Sequence, residues 1–183
     1  QNPTHTYTSA ESYNISLNAS NVGGNNVSIQ TNYITAAVAP VTSFSSNVTS
    51  GAVPLSVSFT DLSTNNPTSW FWDFGDGTSS TDQNATHTYT SAGGYNVSLN
   101  AANIGGSNVS TQIAYIITDV VPVASFTSDV TSGAVPLSVN FTDQSTNATS
   151  WYWEFGDGNV SSLQNPSHIY TNIGTYNVNL NAI

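Results

Sequence analysis

Trp70-Phe71-Trp72-Asp73-Phe74-Gly75-Asp76-Gly77 returns later in the chain as Trp151-Tyr152-Trp153-Glu154-Phe155-Gly156-Asp157-Gly158. In each copy two Trp and a Phe share one side of an extended chain, while Phe71 or Tyr152 takes the other. This period-two pattern predicts a strand with one buried face. Gly-Asp-Gly then supplies the turn that ends it. Upstream, Leu55-Ser56-Val57-Ser58-Phe59-Thr60 alternates in the same way, with Leu55, Val57 and Phe59 inward. Downstream, Tyr95, Val97 and Leu99 form a third set, and Val109, Thr111, Ile113 and Tyr115 a fourth. Turn chemistry separates these runs at Gly51-Ala52-Val53-Pro54, Ala92-Gly93-Gly94 and Asn103-Ile104-Gly105-Gly106. No stretch keeps a helical period. About seven short strands in about 80 residues predict an all-β fold, an antiparallel β-sandwich with Greek-key connections.

The repeat also sets the frame. Phe44 recurs as Phe126 and Trp70 as Trp151, with one residue dropped between Asn65 and Trp70 in the later copy. A period of about 80 residues is a whole domain able to bury its own core. His5, His87 and His168 occupy one slot. Residues 1–37 therefore read as the C-terminal part of one repeat, 38–119 as a complete repeat and 120–183 as the N-terminal part of a further one. The chain is expected to be a window on a longer array or a processed product. The rival arrangement has the incomplete ends of neighbouring chains complete one another; it leaves redundant strands, because the two partial repeats overlap. Val38-Ala39-Pro40-Val41 and Val120-Val121-Pro122-Val123 are short and Pro-stiffened, so successive sandwiches are expected end to end with little play.

Composition excludes several classes of function. There is no Lys, Arg, Cys or Met, against ten carboxylates and three His. Nucleic-acid binding needs basic residues to neutralise phosphate, so none is expected. Attraction to anionic lipid fails for the same reason, and no apolar run is long enough to span a bilayer. Disulfides are absent, as are the Lys-Asn isopeptide bonds used in some surface fibres. The carboxylates have only His, dipoles, water or metal cations to pair with, which leaves calcium open as a partner. With 5% charged residues, the net −10 reflects missing bases more than added acids.

Ala134-Val135-Pro136-Leu137-Ser138-Val139-Asn140-Phe141-Thr142-Asp143, the Trp151–Gly158 motif, Pro166-Ser167-His168-Ile169-Tyr170 and Gly174-Thr175-Tyr176-Asn177-Val178 together resemble the PKD (polycystic kidney disease) domain family. The resemblance covers essentially the whole chain. It implies tandem immunoglobulin-like antiparallel β-sandwiches, found in cell-surface and secreted proteins, including archaeal surface-layer proteins and bacterial extracellular hydrolases. Members generally act as spacers or as modules for protein or carbohydrate contact and not as catalysts. Glu154 departs from the usual Asp, which weakens any specific chemistry assigned to that carboxylate.

Each candidate site has a structural alternative. Asp73 with Asp76, and Glu154 with Asp157, are paired carboxylates that could share a calcium ion. Their place at a glycine-flanked turn favours backbone hydrogen bonding instead. The three His each precede a Tyr (Tyr7, Tyr89, Tyr170) by two residues, with no recurring nucleophile or ligand cluster. A ring bonded to backbone beside a tyrosine-corner-like Tyr is expected. Trp72, Phe74 and Tyr89, with Trp153, Phe155 and Tyr170, are the expected core. Phe71 and Tyr152 are the aromatics left to meet a neighbour or a glycan.

Asn-X-Ser/Thr triplets stand at Asn14, Asn18, Asn26, Asn47, Asn84, Asn96, Asn108, Asn140, Asn147 and Asn159. Strand parity sets Asn14 and Asn18 against inward Ile15 and Leu17, Asn26 against Val27, Asn96 against Val97, and Asn140 against Val139 and Phe141. These five are expected to face solvent, where N-glycans could be attached. The expected function is an extracellular structural protein at the cell surface: tandem PKD-like domains in a glycosylated stalk, surface layer or filament that self-associates. The alternative is a spacer or a carbohydrate- or protein-binding module of an adhesin or secreted hydrolase. An enzyme is not expected, because nothing assembles nucleophile, base and oxyanion site. Edge strands without Lys lack a common guard against lateral pairing.

Overall fold

The computed structural model describes residues 2–183, entirely in strands, turns and loops. The chain divides into two compact units, Gln1–Asp119 and Val120–Ile183. The first unit opens with an antiparallel hairpin, β1 (Ser12–Asn21) and β2 (Gly24–Thr35). The complete repeat follows as β3 (Phe44–Ser46), β4 (Ser50–Ala52), β5 (Leu55–Asp61), β6 (Ser69–Asp73), β7 (Ser79–Ser80), β8 (Ala85–Tyr89), β9 (Gly93–Asn103) and β10 (Gly106–Asp119). They form two sheets, ordered β3-β5-β8 and β4-β10-β9-β6-β7. All pairs are antiparallel except β4 with β10, which run parallel. The two inner faces enclose Val57, Phe59, Trp72, Phe74, Tyr89, Val97, Leu99 and Ile116, all buried. Each such aliphatic or Phe side chain contributes about 1.5–3 kcal/mol by leaving water.

The second unit repeats the plan as β11 (Phe126–Ser128), β12 (Leu137–Asp143), β13 (Trp151–Glu154), β14 (Val160–Ser161), β15 (Ser167–Tyr170) and β16 (Asn179–Ala182). Its sheets are β11-β12-β15 and β14-β13-β16, closed over Val139, Phe141, Trp153, Phe155, Tyr170 and Leu180. Residues 132–134, which match β4, and 174–178, which match the first half of β9, are not strands.

Two expectations from strand parity are corrected. Alternation along β10 places Val109, Ile113 and Tyr115 on one inward set, yet Val109 and Ile113 are exposed while Ile116 is buried. The inward set is Ser110, Gln112, Ile116 and Thr118, which face the core with Leu99, Val97 and Tyr95 of β9; the bulge between Gln112 and Ile116, where Ala114 takes φ +48°, inserts two residues and so keeps that side inward. In the hairpin, Leu17 is 67% exposed and Val27 is exposed too, although both read as inward. A two-stranded sheet has no second layer to cover them.

Candidate functional site

Three features recur from copy to copy: a His-Asp turn, a tyrosine pair and a set of surface Asn. Gly75, at φ +83°, lets the chain leave β6 so closely over β9 that an added Cβ would lie 2.3 Å from the Asn96 carbonyl oxygen. The turn this permits carries Asp76, whose Oδ2 accepts from His87 Nε2 at 2.6 Å. The imidazole stacks on Phe74, centroids 4.4 Å apart and planes 3° from parallel, with its edge toward Tyr89 at 4.6 Å. In the second unit His168 and Asp157 are 2.7 Å apart, and His168 stacks on Phe155 at 4.2 Å and 2°. The ring is thus held by a carboxylate, not by the backbone acceptor expected from sequence. The spacing of 11 residues between Asp and His in both copies carried that signal.

Burial pushes the Asp76 carboxyl up, but the Thr78 hydroxyl, His87 and the Thr78 amide together hold it below the ordinary carboxylate value. For Asp157 burial is likewise opposed, by His168 and by the Asn159 amide and side chain, and the group falls to about 2. Thr78 Oγ1 lies 3.3 Å from His87 Nε2, the same nitrogen that Asp76 uses. A nucleophile-base-acid relay needs the two ring nitrogens to take separate partners. The second copy has Asn159 in place of Thr78 and so offers no hydroxyl there.

Each of the four calcium candidates accepts a hydrogen bond within its own domain. Asp73 Oδ1 accepts from the Gly75 amide at 2.9 Å, Asp76 Oδ1 from the Thr78 amide at 3.0 Å and Asp157 Oδ1 from the Asn159 amide at 3.0 Å. Glu154 accepts from Asn179 Nδ2 at 3.3 Å. Among the described residues no group of three or more His, Asp or Glu is placed to hold a metal ion. Asp61 instead gathers the Ser63 amide, Trp70 Nε1 and Gln83 Nε2. Burial raises its carboxyl, and these donors outweigh that and leave it lowered. In the second copy Trp151 Nε1 is buried and reaches toward Asp143 without closing the matching hydrogen bond.

Tyr89 and Tyr170 are core residues whose hydroxyls donate to the Phe74 and Phe155 carbonyls, each at 3.0 Å. The tyrosine-corner bond, to a carbonyl four residues upstream, belongs to other residues. Tyr13, Tyr95 and Tyr176 make it, to Ser9, Ser91 and Asn172. Trp72 and Trp153 are fully buried and donate to the Asp82 and Leu163 carbonyls. Phe71 and Tyr152, on the opposite side of their strands, are 49% and 43% exposed.

Every Asn of the Asn-X-Ser/Thr triplets is exposed. Hydrogen bonding sorts them further. Asn14, Asn47, Asn84 and Asn96 use Oδ1 alone, accepting from the amides of Asn32, Ser58, Asp61 and Ala114 at 2.7–2.9 Å. Asn140 and Asn159 differ, since their Nδ2 atoms donate to Asp129 and Asp157. Sequence reading could find the triplets but not this division, which depends on partners brought together by the fold.

Two stacked sheets, a buried Trp at the centre of each sandwich and a tyrosine corner define tandem immunoglobulin-like domains. A family model described as PKD domain matches residues 37–118 and again 119–183, and the chain belongs to this family. Among solved structures, the chain is similar to the PKD1 domain of Vibrio cholerae metalloprotease PrtV, with 35% identity over 44% of this chain and 100% of that one and a TM-score of 0.39. The PKD1 domain of Vibrio anguillarum Epp matches at 31% over 45% and 99%, TM-score 0.39. A Methanosarcina mazei protein solved by NMR matches at 30% over 64% and 77%, TM-score 0.36.

Proposed function

We propose that this chain is an extracellular structural protein whose tandem PKD domains build a glycosylated stalk, surface layer or filament. The observation that carries this reading is the division of labour within the asparagine side chains. At Asn14, Asn47, Asn84 and Asn96 the oxygen holds the fold together, while the nitrogen, the atom to which an N-glycan is joined, makes no hydrogen bond on an exposed residue. A sugar added there removes no bond the domain needs. The absence of Lys and Arg fits an exposed location, since trypsin-like proteases find no cleavage site. The reading is non-enzymatic and involves neither nucleic acid nor membrane insertion; no helix is long and apolar enough to cross a bilayer.

Intact-mass analysis and electron microscopy of the native material test it. Regular assemblies carrying mass beyond the polypeptide are expected, with glycopeptides at Asn14, Asn47, Asn84 and Asn96 and lower occupancy at Asn140 and Asn159. Dispersed molecules at the bare mass overturn it. A second reading, a carbohydrate- or protein-binding spacer, is favoured by the exposed aromatic at the same slot in both copies, Phe71 and Tyr152. Glycan-array binding lost in Phe71→Ala with Tyr152→Ala would support that reading over the first.

A further inference from the structure

Three surface positions recur in the complete repeat and the second unit, and comparing them separates what the fold needs from what a modifying enzyme needs. Asn47 follows β3 and Asp129 follows β11; Asn47 Oδ1 accepts from the Ser58 amide at 2.8 Å and Asp129 Oδ1 from the Asn140 amide at 2.9 Å. Asn84 and Asn165 hold a second slot, before β8 and β15. Their Oδ1 atoms accept from the amides of Asp61 at 2.9 Å and Asp143 at 2.8 Å. Asn96, whose Oδ1 accepts from the Ala114 amide, and Asn177 hold a third. The structural bond at the first two slots is the same in both copies, and every one of these residues is exposed.

The Asn-X-Ser/Thr triplet is not the same. The complete repeat has Asn47-Val48-Thr49, Asn84-Ala85-Thr86 and Asn96-Val97-Ser98, where the second unit has Asp129-Val130-Thr131, Asn165-Pro166-Ser167 and Asn177-Val178-Asn179. Each triplet is broken by one residue, and each at a different place: the acceptor, the middle residue and the hydroxyl residue. Proline in the middle disqualifies the acceptor. It still suits the fold, since Pro166 is fully buried where Ala85 is buried, and its carbonyl accepts from the Phe141 amide at 2.9 Å. The same proline stands in Asn2-Pro3-Thr4, ahead of His5.

The second unit has other triplets on its strands and turns, but their nitrogens are taken. Asn140 Nδ2 donates to Asp129 Oδ2 at 2.7 Å, and Asn159 Nδ2 donates to Asp157 Oδ2 at 3.1 Å. Asn140 Oδ1 also accepts from the Ser167 hydroxyl. Hydrogen bonds to a carboxylate are among the stronger ones. Asp129 thus closes one site by its own identity and a second by what it holds. Asn147 lies in the loop between β12 and β13, on neither sheet.

We propose that the chain sets its N-glycan pattern repeat by repeat through these slots: sugar joins Asn47, Asn84 and Asn96, and the sheets of the second unit stay free of it. The proposal rests on the glycosylation reading above and adds where the coat stops. In the joining step the Asn Nδ2 attacks the anomeric carbon of an oligosaccharide carried on a lipid phosphate. The carbon–oxygen bond to that phosphate breaks as the carbon–nitrogen bond forms, the lipid phosphate leaves with the electron pair, and Nδ2 gives up one proton. At the three slots Nδ2 is available because the oxygen alone carries the structural bond. One residue per slot then decides whether a domain face carries sugar, and the hydrogen bond that holds the fold is left in place.

The test is glycopeptide mapping of chymotryptic digests of the full chain made in its native host, beside two variants that restore a triplet. Pro166→Ala and Asn179→Ser each introduce the residue that the complete repeat has at that place, Ala85 or Ser98. In the unsubstituted chain, glycopeptides are expected at Asn47, Asn84 and Asn96, with about tenfold lower occupancy at Asn140 and Asn159, whose bonds to a carboxylate must first open. Pro166→Ala should raise occupancy at Asn165 from none to the level of Asn84, with one added glycan in the intact mass and an unchanged circular dichroism spectrum. Asn179→Ser should do the same for Asn177; Asn179 is exposed and gives up only its 3.3 Å bond to Glu154, so this variant keeps the test if Pro166→Ala does not fold. A folded variant that gains no sugar while Asn84 and Asn96 carry it overturns the proposal. So does occupancy at Asn140 or Asn159 equal to that of the three slots. The bare polypeptide mass throughout is a different result: it removes the glycosylation reading itself, and this proposal with it.

Discussion

The complete repeat and the second unit are one sequence pattern with unequal lengths of strand. Leu99 and Tyr89 are fully buried in the first, whereas Leu180 and Tyr170 are 7% and 6% exposed in the second. Val97 is buried and Val178 only half-buried. The ladder itself changes more than the core does. β9 runs through Gly93–Asn103, but β16 begins only at Asn179. The central Trp, the His-Asp turn and the tyrosine corner are the same in both.

The largest expected break in this comparison comes from the core. Trp72→Ala opens a cavity worth about 3–5 kcal/mol and strands the Asp82 carbonyl. Trp153→Ala removes as much from the smaller buried core of the second unit, so urea titration should show the first repeat shifted and the second-unit transition abolished. A second-unit transition that survives Trp153→Ala would show that the smaller core holds without its Trp. Next in size are Gly75→Ala and Gly156→Ala. Both put a side chain at positive φ, and the added Cβ meets the Asn96 or the Asn177 carbonyl oxygen at 2.3 or 2.5 Å. Forcing the left-handed conformation alone costs about 1–2 kcal/mol. Asn96 lies in β9, paired along its length with β10, whereas Asn177 lies in 174–178, which is not strand, so Gly75→Ala should lower its melting temperature further than Gly156→Ala does. Equal shifts would mean that 174–178 is as rigid as β9.

Asn96→Ala should cost about 1 kcal/mol by freeing the Ala114 amide, with Asn177→Ala near neutral in isolated chains. The smallest effect is acid sensitivity. Asp157 is depressed from 3.8 to about 2 in the folded state, so its contribution is complete above the unfolded value. It is lost as pH falls through about 4 toward 2. Asp157→Asn should flatten the fall in second-unit melting temperature across that window. A slope unaltered below pH 4 would mean that the other carboxylates set it.

Much of this was legible in the sequence because alternation and turn residues are local. Trp70-Phe71-Trp72 announces a half-buried strand without any tertiary knowledge, and the returning motif announces a repeated domain. The errors arose where a property belongs to the fold. Val109 and Ile113 look inward because they are apolar and alternate, yet the inward set of β10 is Ser110, Gln112, Ile116 and Thr118, mostly polar residues whose side is fixed by pairing with β9. Leu17 looks buried by the same rule, but burial needs a covering layer that two strands cannot supply. The His87-Asp76 bond joins strand β8 to the turn after β6, and its equal spacing in both copies takes on meaning only when the chain between them is known to fold back.

Among the described residues, the turn carboxylates are held by amides, hydroxyls, an indole and carboxamides, with two His-Asp pairs beside them. Dissolved salt therefore meets almost no attraction between opposite charges that it could weaken. What it screens is the mutual repulsion of one sign of charge, within a molecule and between neighbours. For most proteins brine erodes the electrostatic part of folding; here it relaxes a strain, and copies can crowd more closely as the medium grows more saline.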